Sequence, residues 1–182
     1  MRRDAIVMSC LFALSAFCSA APARAGEVTS VEALDITRYA GEWHEIARLP
    51  MFFQRKCKSE IVAQYTLNDD GAVGVRNRCR NDDGEMEEAE GVARRVEGHP
   101  GRLEVRFAPD WLSWMPFTWA DYWVIALDPE YQWAVVGEPG RDYLWILSRT
   151  PEMGRDRFER IKTQVTEMGY ELDELIVSAP IR

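Results

Sequence analysis

Between residues 43 and 149 the chain alternates hydrophobic and polar positions in short segments that turn residues separate. A period of two is the pattern of a strand that buries one face, and the Asn-Asp-Asp-Gly sequences at 68–71 and 81–84 are typical of turns. The predicted strands are Trp43–Leu49, Ile61–Leu67, Val73–Cys79, Glu87–Val96, Arg102–Ala108, Asp121–Leu127, Trp133–Val136 and Tyr143–Arg149. Short connections predict an all-β fold, an eight-stranded antiparallel up-and-down β-barrel whose closure removes exposed sheet edges.

The hydrophobic period changes after the eighth predicted strand. Phe158, Ile161 and Val165 recur at three- and four-residue spacing, which predicts an amphipathic α-helix over 152–168 that ends at Gly169. Because the barrel is closed, we expect this C-terminal helix to pack on its outside. The apolar triplet Leu175-Ile176-Val177 is compatible with one more short strand.

Alternation divides each strand into two faces, and the predicted inner face carries many small residues. The residues assigned to shared inner faces are Ile61, Ala63, Tyr65, Val73, Val75, Leu103, Val105 and Phe107, and in the later strands, where both faces are apolar, Tyr122, Val124, Ala126, Tyr143, Trp145 and Leu147. Ala63, Ala89, Gly91, Ala93 and Ala126 are small where a filled barrel would need bulk. From the residues alone, a packed core and a cavity for one small ligand both stay open.

The first 25 residues have the pattern of a signal peptide, with Arg2 and Arg3, a short apolar run, and small residues at 23 and 25. We therefore predict export, with 26–182 as a single domain. A lipid anchor at Cys18 is the weaker alternative, because the bulky Phe17 precedes it. The leader holds three arginines and one aspartate, a net +2, so the chain's −8 becomes about −10 in the remainder. Such an acidic surface argues against a nucleic-acid partner.

Export predicts an oxidising compartment, and only Cys57 and Cys79 remain after the leader. Both fall on the inner face by parity, which favours a disulfide that would add about 3 kcal/mol. A reactive free thiol is the alternative. His44 and His99 lie on different elements and supply too few ligands for a metal site, and we expect no cofactor. Glu45 shares its face with Trp43, so a buried Glu45 needs an arginine or tyrosine partner.

Three ordered blocks of the sequence resemble those of the lipocalin family. Gly41-Glu42-Trp43 resembles the family's opening G-x-W, Asp121-Tyr122 with Asp128 its second block, and Arg149 its third. The longer stretches GEWHEIARLP, DYWVIALDPEY and RDYLWILSRTP are similar to the bacterial lipocalin (Blc-type) and apolipoprotein D branch. The resemblance covers roughly residues 35–178.

The resemblance implies a calyx that Trp43 closes at one end, with Arg149 across its ring as a structural partner. The other end would open to a hydrophobic ligand, bound by residues of the inner face and of the mouth. These candidates are Met51, Phe52, Phe53, Ala63, Tyr65, Val75, Val105, Phe107, Tyr122, Val124, Val136, Tyr143 and Trp145. The implied function is binding and carriage or storage of a fatty acid or lysophospholipid in envelope lipid handling. The alternative is a lipid-modifying or redox enzyme that uses the same cavity.

The connection at 109–119 carries unusual apolar bulk for a loop. It contains Trp111, Trp114, Phe117 and Trp119, and so much apolar surface indicates a partner or a buried position. It is interpreted as a lid, as a peripheral membrane contact suited to tryptophan, or as a homodimer edge. We expect the protein in the periplasm or at the periplasmic face of the outer membrane.

Overall fold

A computed structural model describes residues 26–107 and 119–182. The strands are β1 (Gly41–Arg48), β2 (Ser59–Leu67), β3 (Val73–Arg80), β4 (Met86–Val96), β5 (His99–Arg106), β6 (Ala120–Leu127), β7 (Trp133–Gly137), β8 (Leu144–Ser148) and β9 (Ile176–Val177). The helices are α1 (Ile36–Tyr39), a 3-10 turn (Phe52–Gln54) and α2 (Arg155–Glu167). The predicted strands and C-terminal helix are confirmed, with ends that differ by a few residues.

Each strand from β1 to β7 pairs antiparallel with the next, and β8 pairs with β1, which closes the barrel. Closure satisfies the backbone groups that an open sheet would leave exposed at its edges. The short β9 extends the sheet beside β1 at Ala47 and Arg48, beyond the part of β1 that β2 covers. The eight-stranded up-and-down barrel that the alternation predicts is thus confirmed.

Two separate hydrophobic cores lie on the two sides of the barrel wall. Inside, Trp43, Tyr65 and Leu103 belong to one cluster. Outside, Phe158, Ile161 and Val165 of α2 pack against outward residues of the wall such as Ile146 and Val135. The helix therefore covers the outer face, as its apolar spacing predicts.

Two β-bulges lie on the wall that α2 covers. In β1 the register shifts between Glu45 and Ala47, and in β6 it shifts between Val124 and Ala126. A bulge places two consecutive residues against one partner and so reverses the parity beyond it. Ala126 consequently belongs to the outer cluster, and its assignment to the inner face was wrong.

The short helix α1 precedes the barrel and was not predicted from the sequence. Its N-cap is Asp35, whose carboxylate accepts hydrogen bonds from the main-chain N–H groups of Thr37 and Arg38. Tyr39, at its end, is buried under the barrel wall. Among the described residues, neither helix has the length and apolar content that crossing a membrane requires.

Candidate ligand-binding site

Trp43 seals one end of the barrel. Its ring is fully buried, and its indole Nε1 donates a hydrogen bond to the carbonyl oxygen of Tyr39 at 2.8 Å. The guanidinium carbon of Arg149 lies 3.8 Å from the ring centroid, a cation–π distance. The pairing of Trp43 with Arg149 that the resemblance implied is therefore present.

Arg149 also holds the end of α1. Its guanidinium donates to the carbonyl oxygens of Arg38 at 2.7 Å, Ala40 at 2.9 Å and Glu42 at 2.7 Å. The last carbonyls of a helix have no partner within the helix and carry partial negative charge, so a cation is favourable there. One side chain thus joins the tryptophan, the helix and the start of β1.

Gly41 makes this approach feasible. Its φ is +97°, a conformation that side chains with a Cβ rarely adopt, and a Cβ would lie 3.3 Å from an Arg149 guanidinium nitrogen. The glycine that opens the sequence block is therefore explained by the turn from α1 into β1 and by the guanidinium beside it.

The inner surface is packed near this floor and accessible above it. Tyr65, Val75, Val124 and Val136 are buried in the inner cluster. The partly buried residues of the same cluster include Ala63, Val105, Tyr122 and Trp145. Ala89 pairs with Asn77 and Ala120 with Val105, and both alanines are exposed. The predicted lining residues therefore share one surface, with free area in its upper half.

Phe107 lies above Gly91 on this upper surface. A Cβ on Gly91 would come within 2.8 Å of the Phe107 ring and 2.6 Å of the Arg106 carbonyl oxygen. Glycine at position 91 therefore leaves the space that the Phe107 ring occupies. With 44% of its surface exposed, Phe107 retains area for a further contact.

The mouth loop, residues 49–58, presents aromatic side chains at the opposite end from Trp43. Met51 is buried, whereas Phe52 is 72% and Phe53 is 55% exposed. The rings continue inward, with centroids 5.7 Å apart for Phe53 and Tyr143 and 6.2 Å apart for Tyr143 and Trp145. The candidate residues of the mouth and the lining thus form one connected aromatic path.

A buried ion pair stands behind the mouth loop. Glu45 and Arg48 are each 4% exposed, and an Arg48 Nη donates to the Glu45 carboxylate at 2.6 Å. The Ser178 hydroxyl donates to the same carboxylate. Gln54 donates to it as well and accepts a 3.0 Å bond from the Trp145 indole. Because the β1 bulge turns two residues outward in succession, Glu45 and Arg48 both face inward.

The arginine partner expected for Glu45 is confirmed. Gln54 and Ser178 were missed, because each comes from a segment without periodic pattern. Arg48 also donates to the carbonyl oxygen of Cys57 at 3.2 Å, so the network ties β1, β9 and the mouth loop together. Leaving one charge of such a buried pair without its partner is strongly unfavourable.

Three tyrosine hydroxyls meet just above the floor. Tyr122 Oη lies 2.8 Å from Tyr39 Oη and 2.8 Å from Tyr65 Oη. Burial raises the pKa of Tyr65 to about 12 and raises the pKa of Tyr39 and of Tyr122 well above the usual value. The cluster is therefore uncharged at neutral pH. Sequence reasoning placed Tyr65 and Tyr122 inside but missed Tyr39, because α1 was not predicted.

Cys57 and Cys79 form the predicted disulfide, with Cα atoms 5.4 Å apart. A β2 bulge between Ser59 and Val62 interrupts the alternation, so parity alone does not place Cys57 opposite Cys79. The bond fixes the end of the mouth loop to β3. Among residues 26–107 and 119–182, no group of three or more His, Cys, Asp and Glu side chains is arranged to hold a metal ion.

Most of the tryptophan-rich connection, including Trp111, Trp114 and Phe117, lies outside the described residues. Trp119 is described and partly buried, with the guanidinium carbons of Arg94 and Arg106 at 4.1 Å and 5.0 Å from its ring. One ring of the proposed contact surface is thus engaged with arginines of the outer wall.

A closed antiparallel barrel with a sealed floor, an accessible upper surface and an outer helix defines the class of ligand-binding calyx proteins. A family model described as a lipocalin-like domain matches residues 34–180. The chain belongs to the lipocalin family.

Relatives from bacteria, plants and animals agree with this membership. The chain is 40% identical over 150 residues to the outer membrane lipoprotein Blc of Citrobacter freundii, across 82% of this chain and 81% of the relative. It is 39% identical over 152 residues to temperature-induced lipocalin-1 of Arabidopsis thaliana, with the same coverage. It is 31% identical over 153 residues to apolipoprotein D of Mus musculus, across 79% and 76%.

The fold agrees with solved structures as well. The cockroach allergen Per a 4 superimposes with a TM-score of 0.65 at 18% identity, across 84% of this chain and 92% of the allergen. The sequence relatives confirm the resemblance to the Blc-type and apolipoprotein D branch.

Proposed function

We propose that the protein binds a fatty acid or lysophospholipid in the upper half of the barrel and carries or stores it for envelope lipid handling. One observation supports this most directly: the wall is closed and sealed by Trp43, while inward residues such as Ala89 and Phe107 keep exposed surface. In this proposal the aliphatic chain lies against Val105 and Trp145, and the polar head stays near the mouth.

Burial of the chain supplies the affinity. Each buried methylene contributes about 0.8 kcal/mol, so about twelve would give a gross ~10 kcal/mol before ordering costs. Micromolar binding corresponds to about 8 kcal/mol, which lies within this gross figure when the site is preorganised and ordering costs are small. The inner wall discriminates weakly among chain lengths, because one methylene changes affinity by only ~1 kcal/mol in an apolar pocket.

Native mass spectrometry of gently purified protein tests this proposal. We expect a one-to-one adduct with the mass of a fatty acid or lysophospholipid, which organic extraction removes and added lipid restores. Failure of the extracted protein to take up either lipid would contradict the proposal. The same spectrum reports leader cleavage before Gly26, lipid modification and dimer formation.

The names of the bacterial relatives support an envelope location, and we propose export to the periplasm or to the periplasmic face of the outer membrane. We further propose that the mouth end touches a membrane through the tryptophan-rich loop, a contact that the exposed Phe52 and Phe53 would extend. Co-sedimentation with lipid vesicles, lost in Phe52→Ser/Phe53→Ser and in Trp111→Ser/Trp114→Ser, would support it. Concentration-dependent dimers that the same substitutions abolish would instead support a homodimer edge, and loss of ligand binding alone would support a lid.

The enzyme alternative lacks its strongest nucleophile in this form of the protein, because Cys57 and Cys79 are bonded to each other. A thiol count on the oxidised, exported protein tests the point. Fewer than one reactive thiol per chain is expected, and a full thiol equivalent would favour the enzyme.

A further inference from the structure

The tyrosine cluster (Tyr39, Tyr65 and Tyr122) contains three hydroxyl donors but only two hydrogen bonds. Two contacts of 2.8 Å join the three hydroxyls in a chain with Tyr122 at its centre. Among residues 26–107 and 119–182, no other group lies within hydrogen-bond distance of these three oxygens. The cluster's hydrogen bonds are therefore the two that its members share.

Donor counting shows what this arrangement leaves over. Each tyrosine hydroxyl carries one proton, so three protons are shared between two bonds. Whichever way the bonds run, one O–H group has no acceptor in this part of the protein. An unsatisfied donor in an apolar surrounding is unfavourable, so the site favours an incoming oxygen.

The position of the cluster determines which molecule can supply that oxygen. Tyr39 and Tyr65 are buried beside Trp43, whereas Tyr122 is only partly buried. Tyr122 pairs with Leu103 in β5 and lies between the inward positions of Ala120 and Val124. Tyr122 thus stands between the packed floor, where its hydroxyl contacts Tyr39 and Tyr65, and the exposed Ala120 on the side of the mouth.

The charge of the surroundings restricts the oxygen to a neutral one. Burial raises the pKa of all three phenols, so the cluster consists of neutral donors in a region where a further negative charge is unfavourable. Two arginines of the barrel are already engaged: Arg149 lies below the Trp43 ring, and Arg48 is paired with Glu45. Neither arginine is free to compensate a carboxylate at the cluster, so burial favours a neutral oxygen there.

We propose that the tyrosine cluster is the inner end of the ligand site and binds a neutral carbonyl oxygen on the buried end of an aliphatic ligand. This inference rests on the proposed function, because it needs a ligand that enters the barrel. The carbonyl has two sources: an oxo group near the tail of a chain that enters tail first, or a ketone, ester or protonated acid that enters head first.

The test compares two probes of equal shape, 2-undecanone and 2-methyl-1-undecene, on the wild type and on Tyr39→Phe/Tyr65→Phe/Tyr122→Phe. The triple variant removes all three hydroxyls and keeps the rings, so no hydroxyl of the cluster is left without its partner. We expect the ratio of the ketone and alkene Kd values to rise about fivefold in the variant, which corresponds to ~1 kcal/mol. The control Tyr170→Phe, which removes a buried hydroxyl in the outer cluster, leaves the ratio unchanged.

A second readout needs no variant. The carbonyl stretching frequency of 2-undecanone bound to the wild type should fall below its value in hexadecane, as a hydrogen-bonded carbonyl requires. The inference is overturned by an unchanged ratio in the triple variant or by an unshifted carbonyl.

Hexadecanoic acid and its 15-oxo derivative distinguish the remaining outcomes. If the oxo acid loses affinity in the triple variant and the plain acid does not, the carbonyl belongs to the tail. If the plain acid loses affinity, the head group enters first. Wild-type protein that binds neither acid nor a lysophospholipid contradicts the proposed function, whereas binding without any dependence on the hydroxyls contradicts only the inference.

Discussion

The guanidinium carbon of Arg149 lies 3.8 Å from the centroid of the Trp43 ring, while the same guanidinium donates to the carbonyl oxygens of Arg38 and Ala40. The arginine thus binds the floor of the barrel from below and caps the helix that leads into it. This relationship makes the sealed end a single unit of α1, β1 and the end of β8.

Truncation of the floor should lower stability more than any comparable change on the outer wall. We expect Trp43→Ala to reduce the free energy of unfolding by about 3–5 kcal/mol, because it removes a fully buried ring and leaves a cavity. Urea unfolding measures the change. Trp123→Ala, which removes a partly buried outer ring beside Arg102, is the control and should cost less than half as much. Equal effects would show that Trp43 is not a floor residue.

Breaking the buried ion pair behind the mouth should lower stability more than breaking an ion pair on the surface. Glu45→Gln should lower the free energy of unfolding by about 3–5 kcal/mol, because it leaves the Arg48 charge buried without its carboxylate. Glu90→Gln breaks the exposed pair with Arg76 and should change stability by less than about 1 kcal/mol. Chemical unfolding of both variants decides the matter, and a Glu45→Gln protein as stable as the control would place that pair in solvent.

The tyrosine cluster should make stability fall at alkaline pH. Folding raises the Tyr65 pKa from 10.0 to about 12, so the unfolded chain loses this proton first as the pH rises. The stability that the group contributes is fully present below pH 10 and decreases between pH 10 and about 12. The slope approaches ~1.4 kcal/mol per pH unit for one such group. Unfolding measured at pH 9, 10 and 11 checks this, and the triple phenylalanine variant should show a shallower decline.

Removal of the disulfide should loosen the mouth loop and destabilise the barrel. Cys57→Ser/Cys79→Ser opens a link between residues 22 apart in sequence, and we expect a loss of about 3 kcal/mol. The double substitution avoids a free thiol. Reduction with dithiothreitol should lower the Tm of the wild type to about that of the double variant. It should leave the Tm of the double variant unchanged. A reductant effect on both proteins would point to another cause.

Alternation was sufficient to predict the barrel because antiparallel strands with one buried face repeat with a period of two. It failed where a bulge interrupts the period. Ala126 was assigned inward from Val124, yet the β6 bulge turns it toward α2. Sequence alone does not reveal a bulge between two apolar residues, because both faces of that strand are hydrophobic.

The candidate site was predictable where strands carry it and not where loops do. The lining residues Tyr65, Val105 and Trp145 follow from parity and from the family resemblance, and all three lie in or against the inner cluster. Gln54 and Ser178 could not be found, because their contacts with Glu45 depend on how non-periodic segments return to β1.

A fatty-acid titration with a blocking variant shows whether a hydrophobic ligand lies inside the barrel above Trp43. Ala89 faces inward opposite Asn77, and Glu88, its neighbour, faces outward beside Arg76. We expect micromolar or tighter binding of hexadecanoic acid to the wild type and to Glu88→Trp, and at least tenfold weaker binding to Ala89→Trp. Equal affinities for all three proteins would contradict this expectation, because the ligand would then bind outside the barrel.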